Sequence, residues 1–116
     1  MITDIFCKIL NKELPAEIIM EGKDWIAIND INPQAPVHIL IIPRKHFIGL
    51  ASVADSDVEL VGNLIIAANK VAKKLGLDKG FRLVVNEGEH AGQLVPHFHI
   101  HLLGGKRLGP KIVQDK

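Results

Sequence analysis

The tightest constraint on this chain is the run Pro96-His97-Phe98-His99-Ile100-His101-Leu102-Leu103, closed by Gly104-Gly105. Apolar residues alternate with histidines, which predicts a strand, because successive side chains on a strand point to opposite faces. His97, His99 and His101 then share one face. Phe98, Ile100 and Leu102 share the other, free to bury against a helix or core. Same-face neighbours on a strand lie roughly 6.6 Å apart, so three imidazoles in a row can meet one small ligand group. Three readings are open. The histidines can be a solvated strand face, they can present two nitrogens to zinc as His-x-His, or one can attack phosphorus while its neighbours donate.

What surrounds the run limits the choice. The chain has 116 residues, of which 47% are hydrophobic and 23% charged, with a net charge of +1. That predicts one soluble globular domain over residues 1–116, with 106–116 as a surface tail. So small a charge predicts neither direct nucleic-acid binding nor a membrane partner. No apolar stretch approaches the roughly 20 residues of a membrane span, and no signal peptide is recognisable. Cys7 is the single cysteine, so an intrachain disulfide and a Cys-x-x-Cys metal pair are both excluded. A reducing, cytoplasmic setting fits this usage.

Local patterns predict a short helix over Ile5–Leu10, started by Thr3 or Asp4. A hairpin of Glu17–Met20 and Trp25–Asp30 turns through Glu21-Gly22-Lys23-Asp24. After the loop Ile31–Pro36, the β-branched run Val37–Ile42 predicts a central, buried strand carrying His38. Ser56-Asp57-Val58-Glu59 reads as a capping box. It precedes a long amphipathic helix with Val61, Leu64, Ile65, Ala68, Val71, Ala72 and Leu75 on one face and Gly76 as its C-cap. Phe81–Asn86 is a further strand, and Glu87–Gln93 a polar loop feeding the histidine run. The order predicts an α+β domain with a mainly antiparallel five-stranded sheet, one long and one short helix, and the helices on one side. No dinucleotide or phosphate-loop glycine pattern is present.

A neutral imidazole is a good nucleophile toward phosphorus, and flanking imidazoles can donate to phosphoryl oxygens or to a leaving group. His99, central in the row, is the candidate nucleophile. His38 is the natural fourth member or a satisfied core histidine. His46 and His90, in polar connections, read as simply solvated. Asp30 can close a turn or accept from a ribose diol, and Asn86 can close a turn or hold a phosphoryl oxygen. Gly88 and Gly92 can serve turn geometry or let backbone amides approach phosphate. Three ligands along one straight strand converge poorly on a metal, since the outer two are about 13 Å apart at their backbone.

The wider pattern resembles a known family. His97-Phe98-His99-Ile100-His101-Leu102-Leu103 has the form His-φ-His-φ-His-φ-φ of the histidine triad superfamily. Cys7–Ala16, Asn29–His38 and Val84–Gly88 are similar to its nucleotide-binding, Hint-type branch. The resemblance runs from about Asp4 to Gly105. It implies an α+β homodimer with strands paired across protomers. The implied partners are purine nucleoside monophosphates and the implied reaction is hydrolysis of their phosphoramidates, with no cofactor and no metal. It makes His99 the nucleophile, His101 the donor to phosphoryl oxygens, His97 an orienting residue and His38 a proton relay. Asp30 would take the ribose hydroxyls, with Asn29 beside it. Ile5, Phe6, Ile9, Ile28 and Ile31 would line the nucleoside pocket, and Asn86, Gly92, Gln93, Leu94 and Val95 would border the phosphate. Leu94 stands where a serine is common, and the tail after Gly105 lacks the tryptophan-bearing terminus of animal members. Zinc held by cysteines and added histidines occurs in the superfamily and is not extended to a chain with Cys7 alone. Dinucleoside polyphosphate hydrolysis and a nucleotide-binding scaffold are the rival functions.

Overall fold

A computed structural model describes residues 4–109. The elements are α1 (Ile5–Leu10), β1 (Ile18–Glu21), β2 (Trp25–Asn29), β3 (Val37–Pro43), α2 (Val58–Lys74), β4 (Phe81–Val84) and β5 (Ile100–Gly104). The strands form one fully antiparallel sheet in the order β1-β2-β3-β5-β4. The apolar run at Val37 does make the central strand, flanked by β2 and β5. The β1–β2 turn is tied by the Gly22 N–H to the Trp25 carbonyl at 2.9 Å.

The helices lie on opposite faces of the sheet, not on one side as expected. Alternation along the strands sorts the side chains. Trp25, Ala27, Ile39, Ile41, Ile100 and Leu102 pack with Leu64, Ala67, Ala68, Val71 and Ala72 of α2. Ile26, Ile28, Leu40 and Ile42 face the other way and meet Phe6, Ile9 and Leu10 of α1. Because β2 and β3 are apolar on both faces, each face demands a cover. Six residues of α1 supply the second one, too few to show a period in sequence.

Helix α2 begins differently from the expected box. The Ala54 N–H donates to Asp57 Oδ2 at 3.0 Å, across a 3-10 turn over Asp55–Asp57, and Ser56 does not cap. The C-terminus ends as a Schellman motif one residue past Leu75. The Leu77 N–H reaches the Ala72 carbonyl at 3.0 Å and the Gly76 N–H reaches Lys73 at 3.2 Å. Gly76 takes φ +70, the conformation that a Cβ disfavours. Strand β4 stops at Val84, so Asn86 lies beyond it.

Candidate active site

The histidine run is not one straight strand. Regular pairing starts only at Ile100, opposite Ile41 of β3. Pro96 has no N–H to give to a ladder. The His97 N–H turns back to the Val95 carbonyl at 2.8 Å, and the Phe98 N–H bonds the Phe47 carbonyl at 2.8 Å. The Phe98 ring stacks on Phe47, with centroids 5.2 Å apart. The alternation of faces still holds. Phe98, Ile100 and Leu102 enter the α2 core, while the histidines lie on the α1 side, Phe6 meeting His97 and His99 edge-on at 5.8 and 5.0 Å.

The irregular start frees the His97 carbonyl, which accepts from His99 Nδ1 at 2.7 Å. A carbonyl only accepts, so Nδ1 carries the proton and Nε2 keeps its lone pair. The orienting group is therefore the main chain of His97, not its ring. Burial lowers the pKa of His99, with the Nδ1 bond opposing and His97 adding to the effect. The ring is thus neutral near neutral pH.

On one side of His99 stands His101, with ring centroids 5.0 Å apart. His101 Nδ1 lies 2.9 Å from His38 Nε2. The Gln34 N–H donates to His38 Nδ1 at 3.0 Å, so in neutral His38 it is Nε2 that bears the proton and points at His101 Nδ1. That leaves neutral His101 with Nε2–H as an outward donor. Asp30 Oδ2 sits 3.3 Å from the same His38 nitrogen, and its Oδ1 accepts the Asn32 N–H at 2.8 Å as a turn acceptor does. Burial, with His99 and His38 adding and Asp30 opposing, pushes His101 down to about 4.

On the other side the His97 ring is fully buried. Its Nε2–H donates to the Pro43 carbonyl at 3.0 Å, and its Nδ1 faces Asp4, Cys7 and His46. His46 is thus not simply solvated, as its polar surroundings in the sequence suggested. Its Nδ1 is 3.1 Å from His97 Nδ1 and 3.1 Å from Asp4 Oδ2. Asp4 is also the N-cap of α1, Oδ1 accepting the Cys7 N–H at 2.8 Å. Burial opposes ionisation of Asp4, yet that amide, His97, the Cys7 thiol and His46 together hold its pKa below the ordinary value. Burial pushes the Cys7 thiol up, with the Asp4 carboxylate adding.

Two clusters therefore have metal-ligand composition, Asp4/Cys7/His46/His97 and Asp30/His38/His101. The second presents an N–H of His38 to its centre rather than a lone pair, which suits proton transfer better than coordination. The first presents four potential donors.

The remaining expected residues surround these groups. Phe6 and Ile28 are buried between α1 and the sheet, with Ile9 and Val95 half-buried beside them. Ile5 is exposed, and Ile31 and Leu94 are almost fully so, at 86% and 92%. Asn29 bonds Glu17 Oε1 through its side-chain amide at 2.8 Å. In the Gly88–Val95 loop the N–H groups of Ala91 and Gly92 close internal turns, at 3.2 and 3.0 Å. The Gly88 N–H is taken by Gln93 Oε1 at 2.9 Å. His90 is exposed. A surface hollow bounded by Gly76–Arg82 and Gly105–Gly109 contains none of the histidines.

A five-stranded antiparallel sheet with a histidine row against a short helix defines a class, and comparison with known proteins agrees. The HIT domain model matches residues 11–108, so the chain belongs to the HIT family. A HIT family hydrolase from Clostridium thermocellum is 48% identical, with a TM-score of 0.92 over 97% of this chain and 99% of that one. A HIT family hydrolase from Legionella pneumophila is 47% identical, with a TM-score of 0.88 over 90% and 95% of the two chains. A 14 kDa zinc-binding protein of Zea mays is 45% identical over 90% of this chain and 83% of its own length. Among the described residues no helix is long and apolar enough to cross a membrane.

Proposed function

We propose that this chain hydrolyses purine nucleoside 5′-phosphoramidates by double displacement at phosphorus. Its structural relatives from Legionella pneumophila and Clostridium thermocellum, both HIT family hydrolases, support a hydrolase, and the family pattern in the sequence supports the substrate class. One observation carries the mechanism: His99 Nδ1 is held by the His97 carbonyl at 2.7 Å, which leaves Nε2 unprotonated in a ring that packs against His101. His99 Nε2 forms a bond to phosphorus as the phosphorus–nitrogen bond breaks. The carbonyl supports the positive charge that develops on the ring.

The amine leaves with a proton delivered through the His38–His101 pair. His101, its pKa pushed down to about 4 by burial, is neutral in the free protein, but a bound phosphoryl anion beside it raises the proton affinity of the pair. The pair then takes a proton from solvent and passes it on. Water displaces the histidine in the second step, releasing the nucleoside monophosphate and restoring His99. Asp30 accepts from the ribose hydroxyls, and the apolar side chains of Ile5, Ile9, Phe6, Ile28 and Ile31 wall the base. Asn86, Gly92, Leu94 and Val95 border the phosphate, where Leu94 offers no hydroxyl to the leaving group.

Rapid quench with labelled adenosine 5′-phosphoramidate tests this. A transient phosphorus–histidine adduct mapping to His99 is expected, with turnover falling at least ~10⁴-fold in His99→Ala. Equal turnover in the variant would refute it, and tight purine nucleotide binding with no adduct would favour the scaffold reading.

A further inference from the structure

We propose that Asp30 is a positioning residue for proton transfer: its carboxylate is the counter-ion that lets the His38–His101 pair hold the extra proton the leaving amine needs. This role rests on the hydrolase reading and is separate from the ribose contact that the family pattern implies for Asp30.

The backbone brings the carboxylate to the pair. The Asp30 N–H, one residue past the end of β2, donates to the His38 carbonyl at 3.0 Å. Oδ1 is spent on the Asn32 N–H at 2.8 Å. Oδ2 is left facing His38 Nε2 at 3.3 Å. Both side chains are largely withdrawn from solvent, so salt screens the contact less than it would a surface pair.

The pair alone has no place for a third proton. When neutral it holds two N–H groups, at His38 Nε2 and His101 Nε2, and lone pairs at its other two nitrogens. The lone pair on His38 Nδ1 takes the Gln34 N–H at 3.0 Å, and a proton added there would oppose that donor. The lone pair on His101 Nδ1 takes the His38 Nε2–H at 2.9 Å, and a proton added there would crowd two hydrogens between the facing nitrogens. Asp30 resolves the conflict. When His101 Nδ1 gains a proton, the His38 N–H turns to Oδ2, and the carboxylate charge offsets the new cation. Polar atoms of the three residues lie within 4.8 Å of one another, so hydrogen bonds shift while the chain stays in place. The titratable groups acting on His101 are His99 ahead of β5, His38 on β3 and Asp30 after β2. Of these, Asp30 alone favours its charged form.

Protons balance across both displacements. His101 gives its Nε2 proton to the leaving nitrogen as that nitrogen takes the electron pair of the phosphorus–nitrogen bond. The pair is then neutral, with His101 protonated at Nδ1. In the second step the attacking water gives a proton back to His101 Nε2, and the electron pair of the phosphorus–histidine bond returns to His99. Asp30 stays ionised throughout.

The test removes the sugar contact through the substrate. 2′,3′-Dideoxyadenosine 5′-phosphoramidate has no diol to offer Asp30. Asp30→Asn keeps the acceptor for Asn32 and loses only the charge. On this substrate it should lower kcat at neutral pH ~10–100-fold, and the high-pH limb of kcat, where the pair loses its proton, should move down by about 1 pH unit or more. The same substitution should cost less in a His38→Ala background, because Asp30 acts through His38. An unchanged kcat and limb in Asp30→Asn would make Asp30 a sugar acceptor alone, and an equal loss without His38 would also overturn the proposal. Ring NMR of the free chain is independent of turnover. Wild-type His101 should be half protonated near pH 4, and Asp30→Asn less so at the same pH. Equal protonation would overturn this role whether or not the chain turns over substrate. Lowered protonation in a chain without turnover would sink the hydrolase reading and leave the counter-ion standing.

Discussion

Two histidine clusters flank His99, alike in composition and opposite in design. In the His101–His38–Asp30 cluster each proton position is set by a neighbour, and the last N–H of the relay, on His101 Nε2, is not taken by His38. In the His97 cluster the polar atoms face one another instead. The first arrangement can move a proton to something that arrives from solvent. The second spends its polar contacts within the protein and ties the start of α1 to His46 and the start of the histidine run. The contrast shows that histidine spacing alone does not define role. The acceptor at the far nitrogen does, a backbone amide at His38 and a backbone carbonyl at His97.

The deepest way to break this comparison is to remove one ring from each side. His101→Ala should lower kcat/KM for adenosine phosphoramidate ~10²–10⁴-fold, the range of a positioned proton donor. Its stability near neutral pH should change little, because the ring is only half-buried and Asp30 remains to accept from His38. His97→Ala should behave in reverse. It empties a fully buried site and strips partners from Asp4, which should cost about 3 kcal/mol or more of stability in urea denaturation. The main-chain carbonyl that holds His99 remains, so the folded variant should retain much more turnover than His101→Ala. Equal losses of activity without loss of stability in His97→Ala would erase the distinction.

How much of this was legible in the sequence follows from the range of each interaction. Strand alternation told the α2 face from the histidine face correctly, because it depends only on neighbours along the chain. The start of β5 was set too early, because the diversion of the His97 carbonyl to the His99 ring is a side-chain choice that periodicity does not encode. The second helical cover went unread for a similar reason, α1 being too short to display a face. The His97 cluster has no Cys-x-x-Cys pair of cysteines to mark it in the sequence. Asp4-x-x-Cys7 has the same spacing, with a carboxylate in the first place, and one helical turn brings the two together. His46 joins across 39 residues to Cys7 and 51 to His97, and the stacking of Phe47 on Phe98 that carries it there has no local signature.

Acid should separate the clusters more gently. The pKa of His101 is pushed to about 4 from its ordinary 6.5, so between those values the unfolded chain binds more protons than the folded one. Stability should be full above pH 6.5 and fall as pH drops toward 4, by on the order of 1–3 kcal/mol. Lowered His99 adds in the same direction. The Asp4 contribution has the other window. Its pKa lies below the ordinary 3.8, so its stabilisation persists through that range and is lost only in stronger acid. Denaturation midpoints of wild type and His101→Gln across this span check the assignment. The variant should show a flatter slope between pH 6.5 and 4 and the same loss below it. An unchanged upper slope would mean that His101 is not the group responsible.

The smallest effect concerns the loop that borders both clusters. Gln93 Nε2 donates to the Ile48 carbonyl at 2.6 Å and to Val95 at 3.1 Å, while Oε1 accepts the Gly88 N–H at 2.9 Å. The amide is spent inside the protein, tying the loop before the histidine run to the connector that follows His46. That makes it a clamp on the geometry of both sides rather than a free contact for phosphate. Gln93→Ala should cost about 1–2 kcal/mol through three unpaired groups. Gln93→Glu keeps shape and the Gly88 bond but turns an oxygen toward two carbonyls, so it should be no more stable than the alanine variant. Wild-type stability in Gln93→Glu together with a raised KM would instead mean that the side chain swings out to meet substrate, and the loop would then belong to the His101 side alone.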